Sequence, residues 1–100
     1  MTEYEALVRN YRAALLGAVT RRSEANLAQG YELGRDALAH GVSVLDLARV
    51  HHDCLVELLG DTAPDDVASV AVAASEFFLE VLAAVELTQR QGPPAVGTAG

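Results

Sequence analysis

The sequence predicts an all-α protein that folds as one antiparallel four-helix bundle. Apolar residues recur at helical spacing over almost the whole chain, and no stretch alternates between apolar and polar residues as a strand does. One hundred residues are enough for one packed core, and the connections between the apolar segments are short. Because short connections force consecutive helices to fold back on one another, we expect an up-down bundle.

Residues that cap or end helices give the expected boundaries of the first three helices. The first helix is expected over residues 3–19, with one apolar face. Ser23 is placed to cap the second helix, and Gly41 is expected to end it, because glycine adopts the left-handed conformation that follows many helices. Ser43 is placed to cap the third helix.

The fourth helix follows a turn that is rich in acidic residues. Thr62 is the expected cap, Pro64 is tolerated in the first turn, and the helix should run to about Arg90. The next residues are Gly-Pro-Pro, which end helices. We therefore expect one domain over residues 1–91 and a flexible tail over 92–100.

Two glycines on the inner face of the second helix predict a close contact. Gly30 and Gly34 lie one turn apart, and each costs about 1 kcal/mol of helix propensity relative to alanine. A neighbouring helix packed closely against them would offset that cost.

The third and fourth helices are apolar on most of their circumference. In each, the polar residues form a narrow stripe, and leucine, valine and other apolar residues occupy nearly all the rest. Such a helix is buried from more than one side. Tight burial within the bundle is one explanation; we favour the other, a homodimer, because symmetric pairs are the commonest assemblies.

The third helix carries the run His51-His52-Asp53-Cys54. A metal site on a helix needs ligands three or four residues apart, as in HExxH. The positions at that spacing from the histidines offer no second ligand: Ala48, Arg49, Leu55 and Val56. We therefore expect no metal and no catalytic residue. His51 is interpreted as structural core together with Tyr11, Tyr31 and Leu55, hydrogen-bonded to Glu80 or to a tyrosine hydroxyl.

Composition excludes several classes of function. A net charge of −7 argues against nucleic-acid binding, which needs clustered lysine and arginine. No apolar run is long enough to predict a membrane span, and a single cysteine fits a reducing cytoplasm. The chain contains no glycine-rich phosphate loop and no nucleophile elbow, so neither a cofactor nor an enzymatic activity is expected.

The second helix has an exposed face that could bind another protein. Glu24, Ala28, Glu32 and Arg35 follow one another opposite the leucines, so that a small residue lies between charged ones. An ordinary solvated face explains the same spacing equally well.

Three segments resemble a known family. They are LVRNYRAALL, then SEANLAQGYELGRDALAHGVSVLDLARVHHDCLVELL, and finally EFFLEVLAAVELTQR. Together they are similar to the KaiA-like N-terminal domain of RsbU-type serine phosphatases, the partner-binding module of bacterial general-stress signalling. The phosphatase half of that family is missing from these 100 residues, and we expect a stand-alone binding module.

The resemblance implies a dimeric helical bundle onto which a switch-kinase-like activator docks. Carried over by position, the activator-facing residues are Glu24 and Ala28 on the second helix and Leu79 and Ala83 on the fourth. The implied function is a non-enzymatic interaction domain of stress and sigma-factor signalling. The alternative is a sensor that holds a small molecule or a metal near His51, His52 and Cys54, inside the bundle or at the dimer interface.

Overall fold

The computed structural model describes residues 2–21 and 23–91, and this part of the chain is all-α. It contains four α-helices and one short 3₁₀-helix: α1 (Glu3–Thr20), α2 (Glu24–Ala39), α3 (Val44–Gly60), the 3₁₀-helix (Pro64–Asp66) and α4 (Val67–Gln91). The predicted fold class is confirmed. The tail predicted for residues 92–100 lies outside the described residues.

The predicted caps of α2 and α3 are confirmed. Ser23 Oγ accepts a hydrogen bond from the Asn26 amide at 3.3 Å, and Ser43 Oγ accepts one from the Asp46 amide at 3.1 Å. Gly41 ends α2 with φ +79°. These bonds satisfy amides that the first turn of a helix leaves without intrahelical partners.

The prediction that Thr62 caps the fourth helix is wrong. Its hydroxyl donates to the Leu58 carbonyl at 2.7 Å, so Thr62 satisfies an acceptor in the last turn of α3. The chain then enters the 3₁₀-helix behind Ala63, which makes no side-chain cap. Pro64 sits in its first turn, where the missing amide hydrogen costs nothing.

Helices α1 and α4 form the centre of the bundle. Each packs against the three other α-helices, and α2 and α3 flank the pair. The most extensive contact joins α2 and α4. Gly30 lies against Phe77, and Gly34 lies against Val81 and Ala84, so the two helices run in the same direction.

The glycine prediction is confirmed by the distance between these backbones. A Cβ atom added to Gly34 would lie 2.5 Å from the Val81 carbonyl oxygen, and one added to Gly30 would lie 3.0 Å from the Phe77 ring. No larger residue fits at Gly34 unless the helices separate.

The core follows from these contacts. Its largest fully buried side chains come from three different helices: Tyr11, Leu15, Leu47, Phe77 and Val81. The segment Pro64–Arg90 is long and apolar enough to cross a membrane by length and composition alone. In this bundle 28% of the apolar window of that segment is buried, and length and composition alone do not identify a membrane span, because core helices of soluble proteins and signal sequences satisfy the same criterion.

Candidate functional site

His51 lies in the core and links two helices. The Tyr11 hydroxyl lies 2.7 Å from His51 Nδ1, and His51 is only 8% exposed. Of the two partners expected from the sequence, the structure therefore has a tyrosine. The imidazole also stacks on Phe78, with ring centroids 4.0 Å apart and planes 7° apart.

The pKa shifts of Tyr11 and His51 are those of a structural contact, because both groups are held in their neutral forms. Burial, and next the nearby charge of His52, lowers the pKa of His51 to about 4, so the ring is neutral at pH 7. Burial raises the pKa of the Tyr11 hydroxyl, which therefore keeps its proton. The hydroxyl donates to Nδ1 of a neutral imidazole, and neither group is poised for proton transfer.

The neighbouring residues do not assemble a reactive centre around His51. Cys54 is buried, and burial raises the pKa of its thiol, which disfavours the reactive thiolate. His52 is exposed on the outer side of α3. Within residues 2–21 and 23–91, no group of three histidine, cysteine, aspartate or glutamate side chains is placed to hold a metal ion. Leu55 is partly buried against the core, and Tyr31 is half-buried on α2.

The four residues implied to face a partner are all exposed and lie on the two most closely packed helices. We call Glu24, Ala28, Leu79 and Ala83 the α2–α4 surface. Glu24 borders a shallow depression that it shares with Ala73 and Glu76 of α4. This depression contains neither Leu79 nor Ala83, and at 100° per residue Leu79 points away from Phe77, which lies on the side of α4 that contacts α2.

The α4 half of this surface has an apolar centre and a charged edge. Leu79 is 63% exposed, the most of any large apolar side chain in the described part of the chain. It lines a depression with Leu82, Ala83 and Leu87, and the edge of that depression carries Glu86 and Arg90, which form an ion pair at 3.4 Å. Exposed apolar side chains ringed by charges are typical of protein-binding surfaces.

Two exposed apolar side chains lie on one side of α3, about three turns apart, with the exposed Arg49 and His52 between them. Leu45 is 60% exposed and Val56 is 56% exposed. At 100° per residue, both point away from the buried Leu47. We call Leu45 and Val56 the α3 face. The apolar composition of α3 was evident in the sequence, but which of its leucines and valines stay exposed was not, because that depends on how α3 is rotated against α1 and α4.

A cleft that the sequence did not predict lies between α1 and α2. Its walls come from the start of α1 and from the end of α2, about 30 residues apart in the chain, and they include Glu3, Leu7, Asp36 and His40. No local motif joins these residues, so only the packing of the two helices brings them together.

Comparison with known proteins identifies the family. Residues 9–88 match the family model described as "Phosphoserine phosphatase RsbU, N-terminal domain". No curated protein and no solved structure gave a significant match. The matched domain is the regulatory part of that phosphatase, with a signalling role in the sigma-factor pathway, and no phosphatase domain is present in these 100 residues. The match covers most of the chain and agrees with the all-α fold, so the chain belongs to the family of RsbU N-terminal domains.

Proposed function

We propose that this protein is a non-enzymatic, cytoplasmic docking domain that binds a switch-kinase-like activator on the α2–α4 surface and works as a homodimer. The observation that carries the docking proposal is the exposed Leu79, which lies beside Ala83 and Glu86 on a regular helix, α4. Aliphatic side chains held on such a support lose little entropy when a partner covers them.

The charge around the α2–α4 surface supports a partner with basic residues. Glu24 belongs to the surface and Glu80 lies next to Leu79 on α4, whereas the charges of Glu86 and Arg90 offset each other in an ion pair. Carboxylates around an apolar centre favour lysine and arginine on the opposing protein, which raises the association rate more than the affinity.

The docking proposal is tested with a pulldown from bacterial cytoplasm, using the domain as bait. The expected result is capture of a GHKL-type kinase by the unsubstituted domain and its loss with Glu24→Lys or Ala83→Arg. Two matched controls carry the same changes elsewhere on exposed positions: Asp53→Lys on α3 and Ala13→Arg on α1.

Circular dichroism would establish that all four variants keep the helical fold. Equal capture by the α2–α4 variants and the controls would exclude this surface. Capture of an unrelated protein alone would exclude the proposed partner.

The homodimer proposal rests on the α3 face. Leu45 and Val56 are each more than half exposed on the helix that lies furthest from α2, so a second copy could cover them and leave the α2–α4 surface accessible. Covering apolar surface contributes about 25 cal/mol per Å² before the cost of association is subtracted.

Sedimentation at micromolar concentration tests this arrangement. The unsubstituted chain is expected to sediment at twice its mass of 10.5 kDa, and Leu45→Glu with Val56→Glu should give the monomer. Leu79→Glu with Ala83→Glu is the matched control, since it places the same two negative charges on the α2–α4 surface and should leave the dimer intact. A monomeric unsubstituted protein would refute the dimer, and dissociation by this control variant alone would assign the dimer contact to the other face.

A further inference from the structure

The cleft between α1 and α2 is distinct from both proposed protein-binding surfaces. Its volume is about 310 Å³, which is at the lower end of the range for small-molecule sites. It lies at the end of the bundle where α2 stops and α1 begins. Its apolar lining is formed by Leu7, Leu33, Ala37 and Val42, all buried or half-buried.

Two carboxylates stand on the opposite walls of this cleft. Glu3 belongs to α1 and Asp36 to α2. Neither arginine nor lysine is among the residues that line the cleft, all of which lie in the described part of the chain. The walls therefore carry negative charge that no permanent cation of the cleft offsets.

His40 lines the cleft and lies close to Asp36. Its Nδ1 lies 2.8 Å from the Asp36 carbonyl oxygen and 4.0 Å from the Asp36 carboxylate. The hydrogen bond to the Asp36 backbone raises the pKa of His40, and the charge of Glu3 on the other wall raises it next. The protonated form of His40 is thus favoured at this position of the cleft.

We propose that the α1–α2 cleft binds a small aliphatic amine, with its ammonium group between Glu3 and Asp36 and its hydrocarbon chain against Leu7 and Leu33. The match is one of chemistry on both sides: an alkyl chain covers the apolar lining, and an ammonium group supplies a permanent positive charge, which His40 supplies only while it is protonated. This proposal is independent of the docking function, because none of the residues of the α2–α4 surface or the α3 face lines the cleft.

The probe for this site is 1,5-diaminopentane, titrated at low ionic strength and constant pH into the isotope-labelled full chain. The readout is the set of backbone amide NMR shifts. Saturable shifts are expected around Leu33, Asp36 and His40. The uncharged analogue 1,5-pentanediol has the same chain length, and it should bind at least tenfold more weakly because it lacks the ammonium groups. Magnesium chloride is the second comparison, since a divalent ion gains nothing from the apolar lining.

Paired variants separate this cleft from the general acidity of the chain. Glu3→Gln and Asp36→Asn should each weaken diamine binding about tenfold. Asp65→Asn removes the same charge at the opposite end of the bundle and should leave binding unchanged. Circular dichroism melting of each variant verifies the fold.

The proposal is overturned by any of three results. These are the absence of saturable shifts, an equal loss with Asp65→Asn, or equal shifts with the diol or with magnesium.

Discussion

The close contact between Gly34 and α4 predicts that Gly34→Ala destabilises the bundle. This substitution adds one Cβ atom. That atom would lie 2.5 Å from the Val81 carbonyl oxygen and 3.0 Å from the Ala84 Cβ, whereas ordinary contacts begin at 3.4 Å. Because the nearest atom belongs to the backbone, no side-chain rotation can relieve the clash, and α2 must move away from α4.

Two opposing effects determine how much Gly34→Ala changes the free energy of unfolding. Alanine in place of glycine in a helix contributes about 1 kcal/mol of stability. Relieving the clash requires α2 and α4 to separate by a distance on the order of 1 Å. This separation weakens the packing of Phe77 and Val81 along the most extensive contact of the bundle. Overpacking of this kind costs about 1–3 kcal/mol or more. The cost is at the upper end here because a carbonyl group is the obstacle. We therefore expect a net loss of about 1–2 kcal/mol.

The assay is urea unfolding followed by circular dichroism at one fixed protein concentration, because association would otherwise change the apparent stability. The matched control is Gly17→Ala in the last turn of α1. There the new Cβ would meet only Asn26 Oδ1 at 3.5 Å, an ordinary contact. This control should gain about 0.5–1 kcal/mol. If Gly34→Ala were stabilised as much as Gly17→Ala, the argument for a close α2–α4 backbone contact would be refuted.

Three further predictions concern the core and one turn. Tyr11→Phe should lose about 1–3 kcal/mol of unfolding free energy, because it leaves Nδ1 of the buried His51 without its donor; an unchanged urea midpoint would contradict this. The pKa of His51 is about 4 in the folded state, below its ordinary value of 6.5. The stability that the neutral His51 ring contributes is therefore complete above pH 6.5, and about 3 kcal/mol of it is lost as the pH falls towards 4. Urea midpoints from pH 7.5 to 4.5 measure the loss, and a Tyr11→Phe, His51→Leu double variant that showed the same loss would assign it to other groups. Gly41→Ala should lower the melting temperature by several degrees, since φ is +79° there and a Cβ in that conformation costs about 1–2 kcal/mol; an unchanged melting temperature would contradict the strain.

The helices could be predicted from the sequence because their determinants are local. Ser23, Ser43 and Gly41 act within one turn of their own positions, and apolar periodicity needs no knowledge of the neighbouring helix. Thr62 shows where local reasoning fails. A hydroxyl between two helices can serve the end of one or the start of the next, and the path of the chain decides.

The arrangement of side chains between helices was less predictable. The sequence left Glu80 and a tyrosine as equal partners for His51, because periodicity defines an inner face but not the rotation and height of one helix against another. For the same reason the α1–α2 cleft could not be predicted from the sequence, because its walls come together only when α1 and α2 pack. The α2–α4 surface came from the family resemblance, and its residues lie on a common pair of helices because Gly30 and Gly34 bring those helices together.

The glycine contact also bears on how this family could diversify. A surface whose two halves are held apart by bulky core side chains changes shape when those side chains change. Here the spacing of α2 and α4 is set by glycines against a backbone and a ring, so the exposed positions beside them are free to vary. Under the proposed docking function, substitutions at Ala28 or Ala83 would alter the partner that binds, while the glycine contact keeps the spacing of the two helices constant. Specificity and architecture would then be encoded in different residues of the same two helices.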